Sequence, residues 1–394
     1  MRIFICDIYV RLVGHNLGHI QNILRFLESH PSKDEYIFLL NPDAQSIPSV
    51  KITATNVKII FFTEEEFAPF NTGMTLIKST QIIWKHINRY ATDYQADKVI
   101  MMMLDMFQHT IGSSRFPCKL TGILFNPYPR VIAQDTTLRA KHKYTITRAR
   151  KLFTSWWMCR NVQLKKVFIF NDRETIKNMN ETLGTKIFTY LPDPVYDYPN
   201  REGLYIREKY SIPSHKKILL SFGFIDAKKN VVNLLKALQQ LSADDAANIC
   251  LLVVGKIHNE YKDTLMLAFD EAKKIRPELQ IEFESRFVDD DEMEAYVGQS
   301  DVVSVAYINF FSSSGVIGLA ARHNKPVLAT KFGVVGDLTR EYNLGITVDG
   351  FNPEEITQAI LTFLKTKNAY PEKASVFVKN HSSDNFIMTL LELN

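Results

Sequence analysis

The sequence predicts an α/β protein made of two doubly wound, Rossmann-like domains. Short apolar runs typical of buried strands alternate with amphipathic helical segments through both halves of the chain, and this alternation indicates parallel sheets covered by helices. With 394 residues the chain is long enough for two such domains. Pro192 and Pro194 interrupt the pattern near the middle, because proline ends a regular strand.

The predicted domains comprise residues 1–197 and 198–380, and residues 381–394 are expected to form a helix that packs back on the first domain. In the first domain we expect strands at 2–8, 36–40, 57–62, 98–104, 166–171 and 187–191, and helices at 19–29, 75–90 and 174–183. In the second we expect strands at 217–222, 248–255, 281–283, 302–306, 326–329 and 346–348, and helices at 231–241, 261–275, 293–299, 316–323 and 353–366. Residues 333–337 are expected to form a glycine loop.

Composition excludes several classes of protein. The hydrophobic content of 46% and the charged content of 23% are typical of a soluble globular chain, and no window approaches the roughly 20 apolar residues of a membrane span. The four cysteines have no spacing typical of a disulfide framework or a zinc site. The apolar run at the N-terminus is too short for a signal peptide. We therefore expect a cytoplasmic protein with no metal site.

Three serines mark the start of a predicted helix in the second domain. Ser312, Ser313 and Ser314 precede Gly315, and the strand before them ends at residue 306. The first turn of a helix has unpaired N–H groups and carries the positive end of the helix dipole, so hydroxyl groups beside it form a site for phosphate. The serines could instead serve only to cap the helix. Because one serine is enough for a cap, three favour phosphate binding.

Strand ends in the first domain supply further candidates. Gly14 and Gly18 lie in the turn after the first strand, where glycine allows close approach of a ligand. The spacing there is not GxGxxG, so a dinucleotide fingerprint is not supported. Asp105 and His109 follow the strand at 98–104. A histidine in such a place serves either a catalytic or a structural role, and both alternatives stay open here.

The segment 130–166 is strongly basic. It contains ten lysine and arginine residues against the single acid Asp135, with Phe153, Trp156 and Trp157 among them. Basic side chains attract anionic lipid headgroups and tryptophan favours the membrane interface. A solvated helix face with its aromatic rings in the core is an equally good interpretation, and nucleic acid is ranked well below both. The helical periodicity is only fair, so we expect a basic patch, with no in-plane helix.

Several short motifs, taken in order, resemble those of a single enzyme family. Residues 219–223 (LLSFG) with the basic loop 228–230 (KKN) are one, and residues 324–330 (NKPVLAT) followed by 333–337 are another. In the first half, residues 14–19 resemble a glycine-rich acceptor loop, and 191–195 (LPDPV) resembles the family's interdomain IPNPV. Together they resemble the glycosyltransferases of the two-domain GT-B fold, and within them family 4, also called group 1.

The chain departs from this family at three positions. Counted back from Pro326, the two glutamates that the family separates by seven residues are replaced by Phe311 and Leu319, and the arginine of its basic loop is replaced by Phe224. The resemblance therefore implies donor binding through Gly223, Lys229 and the helix start at 312–315, without the two glutamates. We also expect Val288 to border the base of the nucleotide.

The resemblance also implies a function. The two domains would face a cleft, with a nucleotide-diphosphate sugar held by the second domain and an acceptor near Gly14, His15, Gly18 and His19. His109 or Asp105 would take the proton of the acceptor, and the fold class needs no metal or cofactor. We expect a glycosyltransferase that acts on a glycan or a lipid-linked acceptor in cell-surface polysaccharide synthesis, peripheral on the inner face of the membrane. The alternative is a non-catalytic subunit that binds sugar nucleotide or phosphate.

Overall fold

The structure, a computed structural model, describes residues 1–10, 15–47, 50, 54–70, 74–130, 137–198, 201–366 and 373–393, with only the backbone of His15, Asn16 and Ala140. It divides the chain into two compact units. The first unit comprises Met1–Pro192 and Ser383–Asn394, and the second comprises Asp193–Ser382. The divisions thus fall after residues 192 and 382, where the sequence analysis placed them after 197 and 380.

The first unit is a seven-stranded parallel sheet covered by helices on both faces. Its strands, in the spatial order β3-β2-β1-β4-β5-β6-β7, are β1 (Arg2–Asp7), β2 (Glu35–Leu40), β3 (Val57–Phe61), β4 (Lys98–Met101), β5 (Lys119–Ile123), β6 (Leu164–Phe170) and β7 (Phe188–Leu191). Its helices are α1 (His15–Ser29), α2 (Glu64–Phe67), α3 (Leu76–Asp93), α4 (Gln108–Ser113), α5 (Leu138–Cys159), α6 (Arg173–Thr182) and α16 (Ser383–Leu391). One core lies under α3 to α6 and the other under α1 and α16.

Helix α16 completes the second of these cores although it comes from the end of the sequence. Phe386, Ile387, Leu390 and Leu391 are all buried there. Next to it, the buried Lys98 donates to the carbonyl of Leu391 at 3.2 Å and to the Glu392 carboxylate at 2.8 Å. The first unit is therefore built from the segments that precede and follow the second unit in the sequence.

The second unit is a six-stranded parallel sheet with the spatial order β10-β9-β8-β11-β12-β13. Its strands are β8 (Lys217–Phe222), β9 (Ile249–Val254), β10 (Gln280–Glu284), β11 (Val302–Val305), β12 (Val327–Thr330) and β13 (Gly345–Val348). Its helices are α7 (Ile206–Lys209), α8 (Val231–Gln239), α9 (Ala243–Ala247), α10 (Asn259–Ile275), α11 (Asp290–Gln299), α12 (Gly315–Arg322), α13 (Gly333–Glu341), α14 (Pro353–Lys365) and α15 (Ala374–Asn380). We call the side covered by α8, α10 and α14 the α8 face, and the side covered by α11, α12, α13 and α15 the α12 face.

Both sheets confirm the predicted fold class. All described strand pairs are parallel, and strands such as β9, whose six residues are all buried, show why the sequence contains continuous apolar runs. No helix in the described ranges is long and apolar enough to cross a membrane.

Two local expectations were wrong. Helix α1 begins at His15, four residues before the predicted start, and Leu17 in its first turn packs on the core. The expected glycine loop at 333–337 is the start of α13. There Gly336 allows close packing, since a β-carbon on it would lie 2.6 Å from the carbonyl carbon of Lys331. The basic segment contains the 22-residue helix α5, and its expected role as a basic patch stays a prediction.

Strand β5 was not predicted, because Lys119 and Gly122 interrupt its apolar run. It nevertheless lies buried between β4 and β6. Gly122 permits the close packing of this region, since a β-carbon there would approach the carbonyl oxygen of Met101 to 2.6 Å.

A network of charged and phenolic side chains surrounds Glu284 at the end of β10. The carboxylate accepts hydrogen bonds from Lys209 and Arg286, at 2.7 and 2.6 Å, and also from Tyr210. Burial disfavours its ionisation, but these donors outweigh that effect and lower the pKa of Glu284 to about 2. The ionised carboxylate therefore connects α7 to the edge strand of the sheet.

Candidate functional site

The candidate site lies at the carboxyl edge of the second unit's sheet, between β8 and β11. The strand order changes direction between these two neighbours, and ligands of open α/β sheets bind outside the carboxyl ends of strands at such a point. The loop after β8 meets the loop after β11, because the Ile308 N–H donates to the carbonyl of Lys228 at 3.1 Å. The predicted donor-binding residues Lys229 and 312–314 lie on these two loops.

Asn230 holds the two loops together. Its backbone is left-handed, with a φ of 63°, a conformation that asparagine adopts more readily than most residues. Its buried side-chain amide donates to the carbonyl of Ala306 at 2.9 Å and to that of Gly350 at 2.7 Å. One side chain thus connects the loop after β8 to the ends of β11 and β13.

The ammonium group of Lys229 lies close to Gly223, the first residue after β8. Its Nζ donates to Tyr307 Oη at 2.8 Å and is 4.4 Å from the centroid of the ring. Gly223 has a φ of 106°, and a β-carbon on it would lie 3.3 Å from Lys229 Nζ. Because an ammonium has three N–H donors, the bond to Tyr307 leaves two of them for an anion.

Tyr307 is a site residue that the sequence analysis missed. It is the second residue after β11, its side chain is buried, and its ring packs edge-to-face on Phe310 at a centroid distance of 5.1 Å. It therefore provides a rigid acceptor that orients Lys229. The available signal was its place at a strand end where the sheet changes direction.

Helix α12 begins at the end of the loop that follows β11, the loop that also carries Tyr307. Ser312, Ser313, Ser314 and Gly315 are half-buried. Ser314 is the N-cap residue, but its side chain makes no capping hydrogen bond, so capping does not account for this serine. The helix start retains the free N–H groups and the dipole that favour an anion.

Helix α13 begins against the same loop. The Val334 N–H donates to the carbonyl of Phe311 at 3.2 Å. Gly333 has a φ of 67°, and a β-carbon on it would lie 2.8 Å from the α-carbon of Phe311. Glycine is therefore required at position 333, and the starts of α12 and α13 both lie at this edge.

Other predicted positions in the second unit are apolar and partly or wholly covered. Val288 is buried in the core of the α12 face, so its side chain does not present a surface to a base. Leu319 is buried in the same core, and Phe311 is half-buried. Phe224, at the position where the resemblance implies an arginine, is 52% exposed and packs edge-to-face on His258 at 5.7 Å.

The acidic run before α11 serves as a helix start. The Glu292 carboxylate accepts from the Asp289 N–H at 3.4 Å, and Arg201 pairs with Asp291 at 2.7 Å. The hydrogen bond from Arg286 lowers the pKa of Glu292, and this effect is larger than that of burial, which raises the pKa. Among the described residues, no group of three or more His, Cys, Asp or Glu side chains is placed to hold a metal ion.

Asp105, in the first unit, has a structural role. It follows β4 by four residues, and its carboxylate accepts from the Phe125 N–H at 2.8 Å and from the backbone and side-chain amides of Asn126 at 2.9 and 3.1 Å. Burial raises its pKa, and these three hydrogen bonds oppose the shift. The carboxylate is therefore occupied in holding the loop after β5.

The predicted histidines lie in different surroundings. His109 is half-buried in α4, and its Nδ1 is buried without a hydrogen-bond partner among the described residues. His19 is only 3% exposed and stacks between Phe170 and Phe386, at 5.9 and 5.1 Å, so its ring is not accessible to an acceptor in this structure. Gly18 lies within the first turns of α1, and its carbonyl accepts from Asn22 at 2.8 Å. Gly14 and the side chain of His15 lie outside the described residues.

Helix α5 carries the basic segment. Most of the described side chains in its first half are exposed, including those of Lys141, Lys143, Arg148 and Arg150. Its second half presents an aromatic cluster in which Phe153 and Trp156 are 53% and 42% exposed. Lys151 differs from the other cations, because it is half-buried and donates to the carbonyl of Asn126 at 2.7 Å.

Comparison with known proteins identifies the second unit. Residues 205–383 match the model of the family described as glycosyl transferases group 1. The matched residues make up most of the second unit, so this unit is similar to group 1 glycosyltransferases. The predicted resemblance to group 1 glycosyltransferases is thereby confirmed, whereas comparison of the whole chain with curated proteins finds no significant match.

Solved structures show that the whole chain has the GT-B glycosyltransferase fold. WaaG, a glycosyltransferase involved in lipopolysaccharide biosynthesis, is 14% identical with a TM-score of 0.66, over 99% of this chain and 98% of that one. HepE of Anabaena, solved in complex with UDP and glucose, is 14% identical with a TM-score of 0.67, over 100% and 98% of the two chains. Sucrose-phosphate synthase of Thermosynechococcus elongatus is 13% identical with a TM-score of 0.71, over 100% and 98%.

Proposed function

We propose that this protein is a glycosyltransferase that moves a sugar from a nucleotide-diphosphate sugar to a glycan or a lipid-linked acceptor in cell-surface polysaccharide synthesis. The observation that carries the proposal is Lys229, whose ammonium is held by Tyr307 beside Gly223 at the carboxyl edge of the second unit. The complex of HepE with UDP and glucose supports a nucleotide-sugar donor. WaaG's part in lipopolysaccharide biosynthesis supports a cell-surface product.

The proposed chemistry needs stabilisation of the leaving diphosphate. As the glycosidic bond to the donor phosphate breaks, negative charge grows on the phosphate oxygens, and preorganised cations and N–H groups lower the energy of that state. Lys229, the hydroxyl groups of 312–314 and the N–H groups at the start of α12 would supply them. We propose that no metal and no further cofactor take part.

We propose that the first unit binds the acceptor and that His109 takes its proton. We favour His109 over Asp105, because Asp105 already accepts three hydrogen bonds, whereas His109 is only half-buried. Gly14, His15 and Gly18 remain proposed acceptor-binding residues, and His19 would act only by packing. Replacement of His109 by glutamine should lower kcat more than it weakens donor binding.

The first experiment is thermal unfolding with UDP, GDP, TDP or CMP. A nucleotide present at 100 times its dissociation constant adds about 2.7 kcal/mol to stability, which is about 5–10 °C for a unit of this size. We expect a shift with one nucleotide that is lost in Lys229→Ala. The matched control is Lys228→Ala, because Lys228 is the neighbouring exposed lysine. Absence of a shift with every nucleotide would contradict donor binding.

A non-catalytic subunit is the second candidate function. Phe311 and Leu319 stand where the family has its two glutamates, and neither can accept a hydrogen bond from a sugar or ribose hydroxyl. Release of nucleoside diphosphate from a sugar nucleotide by the purified protein, abolished by Lys229→Ala, would exclude this candidate. Binding of a nucleotide without release of nucleoside diphosphate from its sugar nucleotide, when the acceptor of a partner transferase is also present, would favour the non-catalytic candidate.

We propose that the protein is cytoplasmic and peripheral on the inner face of the membrane, which it contacts through α5. The exposed cations of α5 and the exposed rings of Phe153 and Trp156 support this, because cations attract anionic headgroups and tryptophan favours the interface. Nucleic acid, the other polyanion, is not proposed as a partner.

Vesicle sedimentation tests this contact. Each basic side chain near an anionic surface contributes about 1 kcal/mol, so neutralising Lys143, Arg148 and Arg150 with glutamine should weaken binding to phosphatidylglycerol-containing vesicles about 100-fold. The matched control neutralises Lys262, Lys273 and Lys274, three exposed lysines of α10 in the second unit. Equal binding of the two triple variants would contradict a role for α5.

A further inference from the structure

Strands β8 and β9 remain paired beyond their last residues. The Gly223 N–H donates to the carbonyl of Val254 at 3.0 Å, and the Ile225 N–H donates to that of Lys256 at 2.9 Å. Ile225 also forms a parallel bridge with Ile257. Because Phe222 is in register with Val254, the same offset makes Phe224 and Lys256 neighbours at the edge of the sheet.

The alternation of side chains places Lys256 on the α12 face. Phe222 and Val254 belong to the core of that face, whereas Ile225 and Ile257 belong to the core of the α8 face. Successive strand residues point to opposite faces, so Lys256 follows Val254 on the α12 face. Tyr307, the partner of Lys229, is part of the same core.

Lys256 is also an uncommitted cation at this edge. Lys331 pairs with Asp349 and Glu355, at 3.3 and 3.4 Å, and Arg286 pairs with Glu284 and Glu292. Lys256, in contrast, is exposed and forms no ion pair or hydrogen bond through its ammonium with any described residue.

We propose that Lys256 is a second cation that binds the diphosphate of the donor, and this rests on the function proposed above. The backbones of the two strand ends are in contact, since a β-carbon on Gly255 would lie 1.7 Å from the carbonyl oxygen of Gly223. Lys229 Nζ lies beside that same Gly223. Gly223 and Gly255 are thus neighbours across one strand spacing, about 4.8 Å, and Lys256 directly follows Gly255, so we infer that its long side chain reaches a phosphate group bound at Lys229.

The position of the charge follows from the register. Phe224 is the neighbour of Lys256 on the adjacent strand and carries no charge. A diphosphate carries at least two negative charges, of which Lys229 balances one. Lys256 balances the second negative charge from the neighbouring strand. The positive charge that is absent at Phe224 is thus provided by the residue paired with it on β9's extension.

Direct binding measurements with inorganic pyrophosphate and with UDP test the proposal, because pyrophosphate reports the phosphate contacts without the base. We expect Lys256→Ala to weaken binding of pyrophosphate about 10- to 100-fold, which is typical of a lost hydrogen bond to a charged group. Lys256→Arg should retain binding. Lys262→Ala, an exposed lysine on the following helix, is the control. The double variant Phe224→Arg with Lys256→Ala should recover binding by returning the cation to the neighbouring strand.

The outcomes separate this inference from the proposed function. If Lys229→Ala weakens binding and Lys256→Ala does not, the inference is overturned and the donor site stands. If Lys256→Ala weakens binding but Phe224→Arg restores none of it, the register argument is overturned. If the unsubstituted protein binds neither pyrophosphate nor any nucleotide of the panel, the proposed function fails and the inference fails with it.

Discussion

Asn230 is the residue at which we expect one substitution to affect both the stability and the site of the second unit. In Asn230→Ala, the carbonyl of Ala306 loses its donor, whereas that of Gly350 keeps the hydrogen bond from Asn233 at 3.1 Å; an unsatisfied buried group costs about 1–3 kcal/mol. Alanine also takes the left-handed backbone at a cost of about 1–2 kcal/mol. We therefore expect Asn230→Ala to lower the free energy of unfolding of the second unit by about 2–5 kcal/mol.

Two further substitutions separate the two causes. Glycine adopts a φ of 63° without steric cost, so Asn230→Gly should lose the hydrogen bonds alone and be about 1 kcal/mol more stable than the alanine variant. Asn230→Asp keeps an Asx residue at the left-handed position, but it places acceptor oxygens against two carbonyls. Its free energy of unfolding at neutral pH should be no higher than that of the alanine variant.

The distribution of tryptophan provides the assay. All three tryptophans, at 84, 156 and 157, belong to the first unit, so their emission should follow unfolding of that unit, while far-ultraviolet circular dichroism follows both. A loss of 3 kcal/mol corresponds to about 6–12 °C in the Tm of a unit of this size. The part of the circular dichroism transition that reports the second unit should move to lower temperature, whereas the Tm of the tryptophan transition should not change. Alanine and glycine variants that are both within 0.5 kcal/mol of the unsubstituted protein would refute the reasoning.

Three other predictions concern single contacts. Glu284→Gln should destabilise the second unit at pH 7 by about 1–3 kcal/mol, after allowance for the partial exposure of the carboxylate. Because the pKa of Glu284 is lowered to about 2 in the folded protein, the difference in stability between the two proteins should shrink as the pH falls below the pKa of the unfolded state. A difference that stays constant with pH in urea unfolding would contradict this. Tyr307→Phe removes the acceptor of Lys229 and should raise KM for the donor severalfold with the Tm nearly unchanged; equal kinetics would show that Tyr307 does not orient Lys229. Phe386→Ala should cost about 3–5 kcal/mol, since Phe386 is buried in the first unit. It should lower the Tm of the tryptophan transition and of the matching part of the circular dichroism transition, and an unchanged tryptophan transition would contradict this.

The fold was predictable because hydrophobic periodicity reflects burial directly. Fully buried strands such as β9 appear in the sequence as unbroken apolar runs. β5 was missed for the opposite reason, since Lys119 and Gly122 break its run while neighbours on both sides still bury it. The start of α13 was missed because its glycines serve close packing against a strand end, a requirement that depends on the tertiary neighbours.

The candidate site was predictable in its chain positions and less so in its contacts. Lys229 and the residues 312–314 were named from motif and spacing, and they lie on the two loops at the point where the strand order changes. Tyr307 and Asn230 were not named, because their roles depend on bonds across 78 and 76 residues of sequence. Val288 was named as bordering the base and His19 as binding the acceptor, but both side chains are buried, which a local pattern does not reveal.

The path of the chain has a consequence for the order of folding during synthesis. The second unit is one continuous segment, Asp193–Ser382, inserted into the first, and the segments that enter and leave it are bonded to each other, with the Val195 N–H donating to the carbonyl of His381 at 2.7 Å. A ribosome therefore releases all of the inserted unit before the first unit receives Phe386 and its neighbours. The first unit must wait with the part of its core under α16 uncovered, and we expect it to be the unit that engages chaperones while the chain is incomplete.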